Sequence, residues 1–351
     1  MGKSEPDPVE ALVVALPETA GSALYGMIDV LAAAGALWRQ LTGEAAPVPL
    51  IRPRIVSLSR QPFACGNAIP VVPDCAFGES GVAKMVIVPE LWLDPADDMR
   101  NRYPELKAWL RARHKAGTAI YSACSGSILL AASGLLDGRP ATSHWGYADL
   151  FRRSFPKVRF DPAPNLVFAD PAGRIVTAGG TTSWHDLALH IIAQHCSPGE
   201  AMRIAKVYLL KWHGEGQLPF ASLVRRQPHA DAVVRRAEEW LVKNFRDPRA
   251  VAAVVQASGI AERSLKRRFV VATGAPILSY VQNLRIEEAK RLLETGALSA
   301  EAIAARVGYE NAAFFRRLFK RSTGLTAGEY RRMFRPVARL GRAGRETRTG
   351  K

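Results

Sequence analysis

From Ala11 onward the chain alternates short apolar runs with stretches whose apolar residues fall three or four positions apart. The runs ALVVALP, PRIVSLS, AKMVIVP, TAIYSAC and GRIVTAGG are rich in β-branched and aliphatic residues, and Gly, Pro or Ser bounds them. Between them ALYGMIDVLAAAG, LKAWLRARHKAG, SGSILLAASG and SWHDLALHIIAQHC keep a helical period, and ATSHW reads as one more short strand. Strands with little polar alternation are buried on both faces, so the pattern predicts a parallel sheet covered by helices on both sides: a doubly wound, flavodoxin-like α/β domain.

The pattern stops at Trp212. In HGEGQLPFASLVRRQPHA, residues 213–230, Gly, Pro and polar residues displace any hydrophobic period, which predicts a linker with few contacts. From Asp231 the period is helical throughout, in DAVVRRAEEWLVKNF, PRAVAAVVQAS, AERSLKRRFVVATG, PILSYVQNLRIEEAKRLLETG, SAEAIAARVG, NAAFFRRLFKRSTG and TAGEYRRMF, with Gly closing several segments. The expected organisation is a disordered 1–10, an α/β domain over 11–212, the linker 213–230, an all-α domain over 231–335 and a basic, disordered tail over 336–351.

The all-α segment contains a repeat. Gly259, Leu265, Phe269, Gly274 and Tyr280 recur as Gly308, Phe315, Phe319, Gly324 and Tyr330, offset by 49 residues at the first glycine and 50 thereafter. Each copy sets a short apolar helix, a glycine turn and a second helix with adjacent basic residues in the order of a helix-turn-helix, so two such motifs are expected, joined by a long helix from Ile277 to Thr295. With Leu265 and Phe269 inward, Arg263, Lys266 and Arg267 face out; with Phe315 and Phe319 inward, Arg316 and Arg317 do. Arginine reads guanine O6 and N7 with two bonds, and two such helices suit successive major-groove segments on one face of duplex DNA. Ala312 and Ala313 are small, so the second helix would read a base methyl or anchor to phosphate.

Charge supports a polyanionic partner. The net charge is +16, and residues 231–351 hold 25 Lys and Arg against 12 Asp and Glu, whereas residues 1–230 hold 23 against 20. Basic residues placed on phosphates release condensed counterions, which is the general source of affinity for DNA. Four cysteines at 65, 75, 124 and 196 lack CxxC spacing, and His185, His190 and His195 do not share one helix face, so neither metal, disulfide framework nor cofactor is expected. No run approaches the roughly 20 apolar residues of a membrane span, and the N-terminus lacks a basic signal region, so a cytoplasmic location is expected.

One segment of the first domain has the form of a nucleophile elbow. TAIYSACSGSILLAASG is a strand, Cys124 among Ser122, Ala123, Ser125 and Gly126, then an apolar helix whose N-terminus would lower the thiol pKa. Such a turn lies at the carboxyl ends of the strands, where open α/β sheets bind ligands. His144 in ATSHW is within reach of that pocket, and Trp92, Trp145 and Trp184 all fall at strand ends or helix starts. Three tryptophans converging there, with Glu90 adding charge, would cage an amine or quaternary ammonium compound by cation–π attraction. His185 and Asp186 read as a surface histidine beside a capping acid.

Residues 231–335 resemble the AraC family of transcription regulators, whose pattern of Gly, Leu, Phe, Gly and Pro-x-x-Tyr is matched by Gly259, Leu265, Phe269, Gly274, Pro276 and Tyr280 and again by Gly308, Phe315, Phe319, Gly324 and Tyr330. Two departures are Ala261, where the family has a capping Ser, and Ala327, where it has Pro. Residues 11–212 resemble the PfpI-like branch of the class I glutamine amidotransferase-like superfamily, and SACSGSILLAASGLLDGRPATSHW with GGTTSWHDLALHII is similar to the GlxA-like regulators that fuse this domain to an AraC-type module. Enzymes of the superfamily pair the elbow Cys with a His and an acid, but here Ser125 follows the Cys and Ala23 stands where the acid is expected.

The resemblance therefore implies a sequence-specific, DNA-binding transcription regulator with a degenerate Cys124 elbow serving as a site for a small-molecule effector. Related regulators sense arginine, carnitine and betaine-type compounds, and the superfamily's habit implies a homodimer, with RNA polymerase as a further partner. Two other readings stand beside it. One is a Cys124-dependent amidase or glyoxalase-like hydrolase with an accessory DNA-binding domain; the other is a constitutive DNA-binding protein with an inert α/β domain.

Overall fold

The computed structural model describes residues 7–44, 46–223 and 229–335. The chain divides into two compact units, Met1–Gln217 and Leu218–Lys351.

The first unit is built on β1 (Val9–Val14), followed by helices α1 (Gly21–Ala32) and α2 (Leu37–Thr42), then β2 (Ile51–Ser57). A small hairpin of β3 (Phe63–Cys65) and β4 (Ile69–Val71) precedes β5 (Cys75–Ala76). Next come β6 (Met85–Val88), α3 (Pro104–Lys115), β7 (Ala119–Ala123), α4 (Gly126–Ala132), β8 (Pro140–Ala141) and α5 (Ala148–Ser154). The strands β9 (Arg159–Phe160), β10 (Leu166–Phe168) and β11 (Ile175–Ala178) lead to α6 (Trp184–His195) and α7 (Pro198–Tyr208).

Seven strands form one sheet in the order β10-β11-β7-β6-β1-β2-β5, parallel except for β10, which runs against β11. Alternate residues feed two cores. Leu12 and Val14 join Val86, Val88 and Ile120 against α3, α4 and α5, whereas Ala11 and Val13 join Met85, Ile87 and Tyr121 against α1, α6 and α7. Strands buried on both faces, with helices on each, make this the doubly wound α/β domain that the apolar runs predict. The chain leaves β1 toward β2 and β5, then returns on the other side of β1 to β6, so the strand order reverses between β1 and β6.

Several elements differ from the sequence expectation. ATSHW contributes only Ala141 as strand, which with Pro140 before it pairs with β9 outside the main sheet, because from Thr142 onward side chains take over the backbone bonding: Thr142 N–H donates to Thr177 Oγ1 at 2.8 Å. The β3–β4 hairpin, the antiparallel edge β10 and helix α7, which Ser197 caps by accepting from Glu200 N, carried too little pattern to be read. The segment 213–230 is bonded at several of its described residues. His213 and Gln217 are bonded into the first unit, while Leu223 N–H donates to Glu287 and Ala221 O accepts from Lys290 in the second. Residues 9 and 10 are already strand, with Val9 N–H donating to Leu50 O; the rest of the expected N-terminal disorder, like the tail 336–351, falls largely outside the described residues.

The second unit is helical: α8 (Ala232–Asn244), α9 (Ala250–Ala257), α10 (Glu262–Thr273), α11 (Ile277–Thr295), α12 (Ala300–Arg306), α13 (Ala312–Thr323) and a helical stretch from 327 to 335. It has two cores, one per copy of the repeat. Leu265, Phe269, Ile277 and Tyr280 close the first with α8 and α9, and Phe315, Phe319, Ile303 and Tyr330 close the second, with α11 supplying both. Nineteen residues give α11 a length of about 28 Å, close to one turn of B-DNA. Its Arg285 is buried and joins the copies: Nε and Nη2 donate to Phe245 O and Asp247 O at 2.7 Å each, and the guanidinium lies 4.8 Å from the Tyr309 ring centre. No helix among the described residues is long and apolar enough to cross a membrane.

Candidate functional site

Three loops meet at the carboxyl ends of the parallel strands of the first unit. Cys124 follows β7 with φ 52°, a left-handed conformation that a non-glycine residue adopts only where its surroundings impose it. The surroundings are evident. Cys124 N–H donates to Ala178 O at 3.0 Å, and its carbonyl accepts from the hydroxyls of Ser127 and Ser143, both at 2.8 Å. Gly126 is obligatory because a Cβ there would lie 2.4 Å from Val88 O and 2.6 Å from Pro89 O. Ser125 locks the turn onto the loop after β6, accepting from Leu91 N at 2.8 Å and donating to Leu91 O.

The sulfur points at a carboxyl. Cys124 Sγ lies 3.6 Å from Glu90 Oε1, which also accepts from Thr181 Oγ1 at 3.0 Å, so residues from the ends of β6, β7 and β11 converge. Glu90 is buried, and its Oε2 has no hydrogen-bond partner among the described residues. Burial raises the Glu90 pKa, against the bonds from Thr181 and Cys124. Burial, with the Glu90 charge second, pushes the Cys124 thiol well above its ordinary range. The sequence expectation of a thiol pKa lowered by the helix start is therefore corrected: desolvation outweighs a seven-residue helix.

His144 lies beside this loop cluster, with its Nδ1 accepting from Gly146 N–H at 2.9 Å and its ring 4.9 Å from that of Trp145. Tyr147, which sequence reasoning missed, donates to Leu93 O at 3.0 Å, and burial together with the Cys124 and Glu90 charges takes its phenol up to about 12. Gln217 was missed as well. It is 3% exposed; its Nε2 donates to Thr142 Oγ1, Ser143 O and Pro164 O, and its Oε1 accepts from Trp145 N–H at 3.1 Å. A Cβ on Gly179 would fall 2.3 Å from that amide, so Gly179, at the end of the GRIVTAGG run, is the trace such packing leaves in the sequence.

The three tryptophans have different surroundings. Trp92 is 51% exposed, beside Gly66 and bonded through its backbone N–H to Glu18 O, and the Trp145 ring lies against that of His144, tilted by 32°. Trp184 is buried, with its ring against Gly26 of α1, where it packs the core between α1 and α6. Asp186 is no surface cap: it is fully buried, accepts from Asn165 Nδ2 and from His213 N at 3.2 Å, and lies 2.9 Å from His213 Nδ1. His185 beside it is half-buried, and burial lowers its pKa. His190 and His195 both meet Tyr121, the first by ring contact and the second 2.9 Å from its hydroxyl. No group of three or more His, Cys, Asp or Glu able to hold a metal ion occurs among the described residues. A surface cavity of about 510 Å³ lined by Arg159, Phe168, Asp170 and Gln194 contains none of the elbow residues.

In the second unit the repeat is reproduced bond by bond. Gly259 and Gly308 turn with φ 68° and 92°, and Gly274 and Gly324 end α10 and α13 with φ 74° and 75°. Thr273 donates to Phe269 O and Ala275 O, and Thr323 does the same to Phe319 O and Leu325 O. Tyr280 meets Phe269 edge-on at 5.4 Å, as Tyr330 meets Phe319 at 5.5 Å. Ala261 gives α10 no side-chain cap, whereas Asn311 caps α13 by accepting from Phe314 N at 2.9 Å. Arg263, Lys266, Arg267, Arg316 and Arg317 are all exposed, and two of them are engaged, Lys266 with Glu262 at 2.5 Å and Arg316 with Glu301 at 2.8 Å.

Known proteins match both units. Residues 50–194 fit the DJ-1/PfpI family, and residues 254–333 fit a helix-turn-helix domain. The HTH-type transcriptional regulator CdhR of Pseudomonas aeruginosa is 25% identical over 77% of this chain and 79% of its own length. The HTH-type transcriptional regulator GlxA of Rhizobium meliloti is 30% identical over 64% of this chain and 68% of its own. An isonitrile hydratase of Pseudomonas putida is 28% identical over 41% of this chain and 59% of its own. Two cores in register with the repeat, a DJ-1/PfpI-type domain ahead of them, and likeness to GlxA over two thirds of its length lead to one assignment: this chain belongs to the family of HTH-type transcriptional regulators that includes GlxA, and regulates transcription by binding DNA.

Proposed function

We propose that the first unit binds a small-molecule effector at the Cys124 elbow without turning it over, and that Arg263, Lys266, Arg267, Arg316 and Arg317 hold the second unit on its operator. The observation that carries the first part is the Cys124–Glu90 contact. A thiol becomes a nucleophile when a base removes its proton, and a buried carboxyl with a raised pKa favours the protonated pair. His144, the histidine that the sequence offers as a base, uses Nδ1 to accept from Gly146.

The effector class that fits is an amine or quaternary ammonium compound. Glu90 Oε2, without a partner among the described residues, supplies a carboxyl oxygen whose ionisation a bound cation would favour, and Trp145, Tyr147 and the half-exposed Trp92 supply aromatic faces; Trp184, packed on Gly26, does not enter the cage. The active species is a cytoplasmic homodimer on paired half-sites, acting on RNA polymerase. The experiment is calorimetric titration of the full chain with amines and betaines, alongside Cys124→Ala. Heat from one compound that Glu90→Gln abolishes and Cys124→Ala preserves supports a binding site. Turnover of an amide or dicarbonyl substrate that Cys124→Ala abolishes would replace it with the hydrolase reading.

A further inference from the structure

The two recognition helices share a frame but not a chemistry. Leu265 and Phe315, and Phe269 and Phe319, are fully buried at the same positions of α10 and α13, and the same glycine and threonine close both helices. Apart from Leu265 against Phe315 in the cores, the differences that a partner would meet fall on the outward edge. On α10, Arg263 and Arg267 lie one turn apart, both exposed and neither ion-paired among the described residues. Fifty residues on stand Ala313 and Arg317. Arg317 keeps an exposed guanidinium that, like that of Arg267, has no ion pair among the described residues, but Ala313 offers a methyl group where Arg263 offers hydrogen bonds. Beside it Phe314, 40% exposed, replaces Ser264. The oxygen of Asn311 is engaged in the cap, and the side chains of Ala312, Ala313 and Phe314 present only carbon.

The first turn of a recognition helix is the part that meets base edges, and in the major groove the thymine C5-methyl is the feature suited to apolar contact. The carbon surface is bordered on the same helix by Arg316, Arg317, Lys320 and Arg321, all exposed, which suits a phosphate-lined groove rather than an apolar protein surface. We propose that α13 reads thymine, with Ala313 and the edge of Phe314 packed on its methyl group and Arg317 on a neighbouring guanine, while α10 reads two guanines through Arg263 and Arg267. The half-sites are then chemically unequal, and each copy of the chain sits on DNA in one orientation. This rests on the assignment of α10 and α13 as the reading helices.

The test selects sites for the full-length chain from a randomised duplex pool, then replaces each selected thymine in turn with deoxyuridine, which lacks only the methyl. Expected is a cluster of one or two thymines in one half-site, each costing about fourfold in affinity when demethylated, the worth of one buried methyl group. Ala313→Arg should shift the preference there from thymine to guanine and remove the deoxyuridine effect. Sequence-specific binding indifferent to every demethylation would overturn the inference while leaving the reading helices in place. Enrichment of no sequence at all would overturn both.

Discussion

Cys124 Sγ lies 3.6 Å from the Glu90 carboxyl, and both groups are more than nine-tenths buried. The acid absent at Ala23 thus has a counterpart from another loop, but one that shares a hydrogen bond with the thiol rather than orienting a base. It reaches the end of β7 from the end of β6, and Thr181 at the end of β11 donates to the same carboxyl oxygen.

Glu90 sets a pH dependence. Its pKa is raised in the fold, so the folded state holds a proton that the unfolded chain releases near its ordinary value of 4.5. The associated stability is fully present below that value and is lost as pH rises through the raised folded pKa. Thermal melts from pH 5 to 8 should show the first unit weakening as pH rises, and Glu90→Gln, which keeps an acceptor for Thr181, should flatten that trend. An unchanged slope in the variant would remove Glu90 from the explanation.

Cys124 should react slowly. With the thiol buried and its pKa raised, iodoacetamide should label Cys124 in the native chain at least about tenfold more slowly than in urea at the same pH, consistent with the small thiolate fraction. Mass spectrometry of the labelled peptide reads the result directly. Rapid native labelling would point to an activated nucleophile.

The strands and the repeat were legible in the sequence because each rests on a regularity that burial enforces. Val13 and Val14 must both be apolar when each faces a different core, and Phe269 and Phe319 must recur when two helices pack alike. Glu90, Cys124 and His144 could be named from their neighbours, since loops at the carboxyl ends of parallel strands gather. Gln217, Thr181 and Tyr147 could not. Their roles depend on which loops meet across 53 to 91 positions of sequence, from the Gln217–Pro164 bond to the Thr181–Glu90 bond, and a polar residue in a Gly- and Pro-rich stretch looks the same whether exposed or buried. Trp184 was misplaced for the mirror reason: only the structure shows Gly26 beneath its ring.

Arg285 should be the residue that keeps the two reading helices in one rigid unit. Arg285→Ala removes two charge-assisted hydrogen bonds and a ring contact from a buried position, a loss of about 3 kcal/mol. Urea unfolding followed by far-UV circular dichroism should show the helical unit melting earlier, with Arg285→Lys rescuing it only partly because one ammonium lacks the planar fork. Wild-type stability in the Ala variant would refute the assignment.

The glycine turns of the two copies should differ in tolerance. Both carry a positive φ, so alanine costs about 1–2 kcal/mol at Gly259, where a Cβ meets nothing within 4 Å. At Gly308 the Cβ would lie 2.3 Å from Arg246 O, and the added clash should bring the cost to about 3 kcal/mol or more. Equal costs in denaturant titrations of the two variants would contradict this packing.

The most direct measurement is binding of the purified full-length chain to its own upstream DNA at two salt concentrations, with and without a panel of amines and betaines. Expected is sequence-specific binding that weakens steeply with salt, as several phosphate contacts require, and that shifts with one compound in the wild type but not in Glu90→Gln. Salt-sensitive binding without sequence preference, or specific binding that no compound alters, would contradict a ligand-responsive regulator with its effector at the Cys124 elbow.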